Sequence, residues 1–348
     1  MLGIIFTLDY EIYGSGAGDF DALMIEPTRR LLALFQEFGA KLTIMADVAE
    51  ILALRRHPDC AKTLVRIETQ LGQAIAEGHD VQLHLHPGWF NARRINGHWH
   101  LDFSEYALAP LPKDKIADYI RRGKEYLETL GRKERSDYRC LAFRAGNWLM
   151  QPSENIVAVL EEAGFLYDTS VFKGGCGSVG PYALDYRSAH SHLESWTVHP
   201  EDISRTSDRR GLREIPILTR MVPLPAMLSL KRLQLQWRLR RDSCLKHRSR
   251  GKTDLGTGKA ATRIRWLYPK KFDFCRLSVR EMRSLLEHAI KHCRGKDDIT
   301  PIVAIGHSTE YTGDHDVRRF LEYVRNEHGS ECVWTTFLEY AQRDGAVA

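Results

Sequence analysis

Short apolar runs of strand length alternate with amphipathic, helix-length segments along both ends of this chain, and this rhythm restricts the fold more than any other feature. Leu2 to Tyr10 reads as a buried strand that runs into polar residues at its C-terminal end. Pro27 to Phe38 follows as a helix with Leu31, Leu32, Leu34 and Phe35 on its apolar face, and Gly39 stops it. Lys41 to Ala46 is a second apolar run, and Thr63 to Ala76 a helix closed by Gly78. Asp80 to His86 alternates Val81, Leu83 and Leu85 against Gln82, His84 and His86, the period of a strand. Lys113 to Leu130 is predicted helical and ended by Gly131, Arg139 to Arg144 a strand, and Ser153 to Ala163 a helix capped by Ser153. Phe165 to Asp168 opens another strand. The rhythm resumes with a helix over Val279–His292, a strand over Ile302–Ile305, a helix over Val317–Asn326, a strand over Cys332–Thr335 and a last helix. Repeated strand–helix units imply a largely parallel sheet, open or closed into a barrel. The expectation is one domain over residues 1–348, with an insertion or subdomain over about 174–271, where the rhythm breaks down.

The net charge of +5 is concentrated in part of that insertion. Residues 229–271 hold fourteen Lys and Arg against Asp242 and Asp254, a net of +12, which leaves −7 for the rest of the chain. Any acidic partner therefore meets this segment, either as anionic lipid headgroups or as a phosphate-bearing sugar carrier. No nucleic-acid recognition motif accompanies the charge. Leu233 to Arg240 alternates apolar and polar residues and reads as a strand, since on a helix its leucines would split between opposite sides. Seven scattered cysteines without a CxxC pair speak against a disulfide framework and a cysteine zinc site, and read as free thiols in a reducing compartment. The apolar start lacks a basic leader region and meets Asp9 at once, which points to a cytoplasmic protein, with peripheral membrane contact through the basic segment as the further expectation.

Parallel α/β folds gather their sites at the C-terminal ends of strands. Here those ends carry Asp9 and Glu11, then His84 and His86, then Arg144, and late in the chain His307. Residues i and i+2 of a strand face the same way, so each pair points together. Two imidazoles and a carboxylate at one mouth suit zinc or a similar divalent ion. Such an ion lowers the pKa of a bound water from about 15.7 towards about 7. A lone HxH is weak evidence in a chain with fifteen histidines, but its coincidence with paired acids on another strand end is much stronger. His98 and His100 flank an Asn-Gly turn and read as a surface hairpin rather than a second site. His79 reads as packing near a strand start, and Asp168 as structural. Trp89, Trp148 and Tyr311 each read as a stacking face for a sugar or as core. Glu214-Ile215-Pro216 is placed at a groove edge.

In order along the chain, these residues resemble the polysaccharide deacetylases of carbohydrate esterase family 4, including the chitooligosaccharide deacetylases. Phe6-Thr7-Leu8-Asp9-Tyr10-Glu11 is similar to the family's first motif, and Gly78 to Pro87 to its second, which leads to metal-binding histidines. Phe143-Arg144-Ala145-Gly146-Asn147-Trp148 stands where the family has an arginine-containing groove motif. Leu166 to Ser170 is similar to a strand that often follows, and Ile305-Gly306-His307 resembles the last motif. The resemblance covers about Leu2–Ser170 and Pro301–Tyr340. It implies a distorted (β/α) barrel and metal-assisted hydrolysis of an acyl group, chiefly N-acetyl, on a sugar or a lipid- or nucleotide-linked glycan precursor. It also implies Glu11, His84 and His86 as ligands of a divalent metal (zinc, with cobalt or nickel as alternatives). Asp9 would be the general base, His307 the general acid, Arg144 the group that orients Asp9, and Trp89, Asn147 and Trp148 substrate contacts. Two departures are plain. Tyr10 separates acids that the family keeps adjacent, and the histidines are two apart instead of four, with Gly88 where the second would fall. The exchange of roles between Asp9 and Glu11 stays open, as do hydrolysis of a cyclic amide or ureide and a non-catalytic glycan-binding relic.

Overall fold

The computed structural model describes residues 1–241, 265–294 and 298–347. Strand β1 spans Leu2–Tyr10, followed by α1 (Glu26–Glu37), β2 (Leu42–Asp47), α2 (Val48–Arg55), α3 (Ala61–Ala76) and β3 (Asp80–Leu85). A small hairpin, β4 (Arg93–Ile95) and β5 (His98–His100), precedes α4 (Lys113–Glu134), β6 (Ala142–Ala145), α5 (Glu154–Glu162) and β7 (Tyr167–Asp168). The middle of the chain supplies β8 (Cys176–Val179), β9 (Tyr182–Asp185), β10 (Trp196–His199), β11 (Asp202–Thr206), β12 (Arg213–Glu214), β13 (Thr219–Pro223), α6 (Leu230–Arg241) and β14 (Leu267–Lys271). The chain then finishes with α7 (Val279–Cys293), β15 (Thr300–His307), α8 (His315–Glu327), β16 (Cys332–Trp334) and α9 (Phe337–Arg343).

The principal sheet runs β11-β10-β12-β7-β6-β3-β2-β1-β15, with β16 also paired to β1. Every pair from β12 through β7, β6, β3, β2 and β1 to β15 is parallel. The sheet curls, and the segment that follows β12 closes it against β15. Ile217 bridges Val303 in parallel, and the Leu218 N–H donates to the Val303 carbonyl at 3.0 Å. The result is a distorted barrel with alternate strand residues facing inward. Ile4, Phe6 and Leu8 pack outward beneath the helices. Ile5, Met45, Ile215, Ile217, Val303 and Ile305 fill the interior together with Phe337, Leu338, Tyr340 and Ala341 of α9. Helix α9 thus plugs the end from which the strands start, and Asp80 at the head of β3 accepts from its Leu338 N–H at 3.3 Å. The opposite end stays open for the site.

Some expectations need correction. Helix α4 continues through Gly131 to Glu134, because its last turns pack on the segment that leads into β6. Ser153 is the residue before α5 but does not cap it, since its hydroxyl donates to the Met150 carbonyl at 2.8 Å and accepts from the Ile203 N–H at 3.1 Å. Residues 230–241 form a helix rather than a strand. Leu, Gln, Lys and Arg are strong helix formers. Leu235 is buried while Leu230, Leu233 and Trp237 stay exposed, so the apolar residues do split between faces. Within 174–271, β10, β11 and β12 extend the principal sheet, β8–β9 is a separate hairpin, β13 and β14 form a separate antiparallel pair, and residues 242–264 lie outside the described structure.

A candidate metal and acid–base centre

Strand register assembles the site. Asp9 is paired with His307 across β1 and β15, Asp47 with His84 across β2 and β3, and His84 with Arg144 across β3 and β6. Adjacent C-terminal strand ends therefore bring these residues to one mouth without further folding. Tyr10 explains the interrupted acid pair. Its side chain points outward, where the hydroxyl donates to Gln70 at 2.7 Å, so Asp9 and Glu11 on either side both turn inward.

The two acids keep different company. Asp9 is buried, takes the Nη1 donor of the fully buried Arg144, and has its other oxygen 3.5 Å from Nε2 of His307. Burial alone would raise its pKa, but Arg144, then His84 and His307, hold the carboxyl below its usual value. Arg144 is fixed on its remaining sides by the Thr169 carbonyl at 3.0 Å and the Thr7 hydroxyl at 2.9 Å. Glu11 instead faces the histidines, 3.5 Å from Nε2 of His84 and 3.0 Å from Nδ1 of His86. Burial opposes its ionisation, yet His86 and His84 pull its pKa well below the ordinary glutamate value.

A metal fits this second group. Nδ1 of His84 lies 2.9 Å from the Arg144 carbonyl, which can only accept, so in the neutral ring that a metal would bind, that nitrogen carries the proton and Nε2 a lone pair. Nε2 is buried and has no hydrogen-bond partner among the described residues, and it faces a carboxylate oxygen. Two acceptors turned on each other are satisfied by a cation between them. Donor atoms of Glu11, His84 and His86 all lie within 4.8 Å of one another, one carboxylate and two imidazoles.

Sequence reasoning missed Asp47, the residue that positions His86. Its Oδ2 is 3.0 Å from Nδ1 of His86, and its Oδ1 accepts from the His86 N–H at 3.2 Å and from the Glu50 N–H at 3.4 Å. The available signal was that β2, like β1, carries an acid at its C-terminal end. Buried Glu50 lies behind it, accepts from the Ile12 N–H at 3.2 Å, and has its pKa pushed well up by burial and then by Asp47 and Glu11. The shortened histidine spacing also has a steric cause. A Cβ at Gly88 would sit 2.8 Å from the Asp102 carbonyl oxygen, so no histidine fits there.

Above these groups is a cavity of about 250 Å³ whose lining includes Glu11, His86, His307, Asn147, Trp148, Tyr106 and Phe103. Asn147 and Trp148 both have positive φ, 55° and 57°. For tryptophan this backbone conformation is strained, and such strain costs on the order of 1–3 kcal/mol per residue. Tyr186 holds the turn, with its hydroxyl bonded to the Trp148 carbonyl at 2.5 Å and accepting from the Met150 N–H at 3.1 Å. The Lys271 ammonium lies 3.2 Å from the centre of the Trp148 ring, and burial draws its pKa down to about 7. Arg276 and Glu310, also at the rim, form a bidentate pair, which occupies the Glu310 oxygens.

Other sequence candidates lie elsewhere. Trp89 is a correction: it is 1% exposed, packs against Trp99, and is not among the residues that line the cavity. Tyr311 is also core, with its hydroxyl donating to Asp314 at 2.7 Å. Asp168 is structural as expected, accepting from the Ser170 N–H and hydroxyl at 3.0 Å each. Glu214 is not at a groove edge but fully buried, with its pKa pushed well up by burial and then by Asp168. His79 accepts from the Leu42 N–H at 3.1 Å, and burial lowers its pKa to about 4. His98 and His100 form the β4–β5 hairpin.

No protein-family model matches the chain, and no curated protein matches it in sequence. Solved structures resemble it in three dimensions. A protein described as a glycoside hydrolase/deacetylase from Parabacteroides distasonis aligns over 98% of this chain and 71% of its own, with a TM-score of 0.57 and 13% identity. A polysaccharide deacetylase from Mycobacterium smegmatis aligns over 100% of this chain and 92% of its own, with a TM-score of 0.49 and 16% identity. For PuuE allantoinase the shares are 99% and 91%, the TM-score 0.47 and the identity 14%. At these identities the likeness bears on fold alone, and the Parabacteroides structure carries it. The chain has the distorted (β/α) barrel of the polysaccharide-deacetylase type.

Proposed function

We propose that this protein is a divalent-metal-dependent deacylase that hydrolyses an N-acetyl group on a sugar within a glycan precursor. The observation that carries the reading is the sorting of the two acids at one mouth: Glu11 with His84 and His86, Asp9 with Arg144 and His307. Glu11, His84 and His86 would hold zinc, or cobalt or nickel in its place. The ion supplies Lewis-acid polarisation of the acyl carbonyl and a more acidic water. Asp9, kept ionised by Arg144, accepts a proton from the attacking water as its oxygen bonds to the acyl carbon. His307 hands a proton to the leaving nitrogen as the C–N bond breaks. Trp148 and Asn147 give the sugar a flat wall and a polar edge. Acetate release from N-acetylated sugars tests this directly. The zinc-loaded protein releases acetate, chelation stops the reaction, and Asp9→Asn lowers kcat by about 10²–10⁴-fold. Full activity in the Asp9→Asn, His84→Ala double variant would overturn it.

A lipid- or nucleotide-linked substrate at an anionic membrane surface is supported by the surface around α6. Met221, Leu224, Leu228, Leu230, Leu233, Trp237, Trp266 and Leu267 are all exposed large apolar residues, Trp266 at 93%. Five of them lie within the basic stretch 229–271 and the other three just before it. Strand β14 of this region ends in Lys271, against Trp148 of the cavity. No helix among the described residues is long and apolar enough to cross a membrane. The six cysteines among the described residues are free thiols, which suits a reducing, cytoplasmic setting. The protein should sediment with phosphatidylglycerol vesicles and not with phosphatidylcholine vesicles. Equal binding to both would exclude the electrostatic part of this reading.

A further inference from the structure

A second histidine cluster lies outside the cavity and takes no part in the proposed chemistry. His288 and His292 are one helical turn apart on α7, and His192 reaches them from the loop before β10. Nε2 of His192 and Nε2 of His288 are 3.3 Å apart. Tetrahedral zinc with bonds of about 2.0–2.1 Å sets its ligand nitrogens about 3.3–3.4 Å from one another. Nδ1 of His292 lies 2.8 Å from the His288 carbonyl, so that nitrogen is the donor and Nε2 keeps its lone pair. This is the arrangement in which a backbone carbonyl fixes the tautomer of a ligating imidazole. A shared proton between His192 and His288 would account for two of the rings but not for the third, whose ring centre is 4.2 Å from that of His288. Donor atoms of all three lie within 4.8 Å of one another. His292 is exposed, so solvent can complete the coordination.

We infer that His192, His288 and His292 form a second binding site for a late first-row divalent cation such as zinc, distinct from the cavity at the barrel mouth. Arg276 at the cavity rim precedes α7, and His288 lies ten residues beyond Ser278, about 15 Å down the helix at 1.5 Å per residue. The site would clamp the loop that carries His192 to α7. The His192 carbonyl also accepts from the Thr219 N–H at the start of β13, at 3.2 Å, so the clamp bears on the end of the β13–β14 pair where Lys271, opposite Thr219, lies against Trp148.

Equilibrium dialysis of the full chain against zinc, with the metal counted, tests the inference independently of the hydrolase reading. The wild type binds two equivalents, and the His84→Ala, His86→Ala variant keeps one. Adding His288→Ala and His292→Ala removes that one while the far-ultraviolet circular dichroism stays unchanged. As a second readout, zinc raises the melting temperature of the His84→Ala, His86→Ala variant, and the rise disappears when His292→Gln is added. The inference is overturned if the His84→Ala, His86→Ala variant binds no zinc, or if its zinc survives loss of His288 and His292. A wild type with a single equivalent that follows only His288 and His292 would uphold this site and remove the one at the mouth.

Discussion

At the scale of single residues, the site depends on buried charges that are each answered by a specific partner. Arg144 is the clearest case, fully buried and bonded to Asp9, Thr7 and Thr169. Arg144→Met leaves Asp9 buried without its cation, which typically costs about 3–5 kcal/mol of stability. Because Arg144 lowers the Asp9 pKa, the acidic limb of the rate profile should also move to higher pH in this variant, and Arg144→Lys should restore part of both losses. Denaturant melts and a pH–rate profile check this, and an unmoved acidic limb would separate Arg144 from Asp9. Asp47 acts through His86. Asp47→Asn keeps the shape but weakens the carboxylate–imidazole contact, so zinc affinity at the mouth should fall about 10–100-fold, read by competition with a chromogenic chelator. Asp9, Glu11, His84, His86, Arg144 and His307 were legible in the sequence because strand alternation fixes which residues share a face. Asp47 was not, because a lone acid between an apolar run and a helix reads equally as an N-cap, a role it also fills through Glu50.

At the scale of elements, close packing between strand ends sets the metal geometry. Gly146 follows β6, and a Cβ there would lie 2.6 Å from Cδ2 of His86 and 2.6 Å from the Leu85 carbonyl oxygen. Gly146→Ala must therefore displace His86 or β3. Such overpacking costs about 1–3 kcal/mol, and the larger effect should be on metal binding. The expected result is a folded protein with zinc binding at the mouth reduced more than tenfold, and unchanged affinity would show that His86 does not need its present position. Element types with a strong period were legible, but α2 was missed, because Val48, Ala49, Ile51, Ala53 and Leu54 bury nearly all its faces and leave no amphipathic period to read. Helix α6 was misread because its leucines alternate, whereas the helical propensity of its Leu, Gln, Lys and Arg residues decides the outcome. The barrel closure through Ile217 and Val303 and the rim groups Lys271, Arg276 and Glu310 could not be read, because they depend on contacts between segments distant in sequence.

At the scale of the whole molecule, the two ends of the barrel divide the work. The mouth gathers charge, while the far end is sealed by α9 around Asp80. Burial raises the Asp80 pKa from 3.8 to about 6, outweighing its hydrogen bonds from Gln82 and Leu338. Between those values the folded chain keeps a proton that the unfolded chain releases. Asp80 therefore contributes stability that is fully present below about pH 4 and lost as pH rises through about 6. At 1.36 kcal/mol per unit the loss amounts to about 3 kcal/mol. The stability of the wild type relative to Asp80→Asn should fall by that order between pH 4 and 7 in urea melts, and a difference independent of pH would contradict the assignment. The central claim concerns the other end, where a carboxylate and two imidazoles leave a buried lone pair of His84 facing Glu11. The most direct measurement is anomalous X-ray scattering at the zinc edge from crystals of the zinc-loaded protein. The account predicts a peak within coordination distance of Glu11, His84 Nε2 and His86, with Asp9 left to Arg144 and His307; density without an anomalous peak at that position, in a protein that still releases acetate, would contradict it.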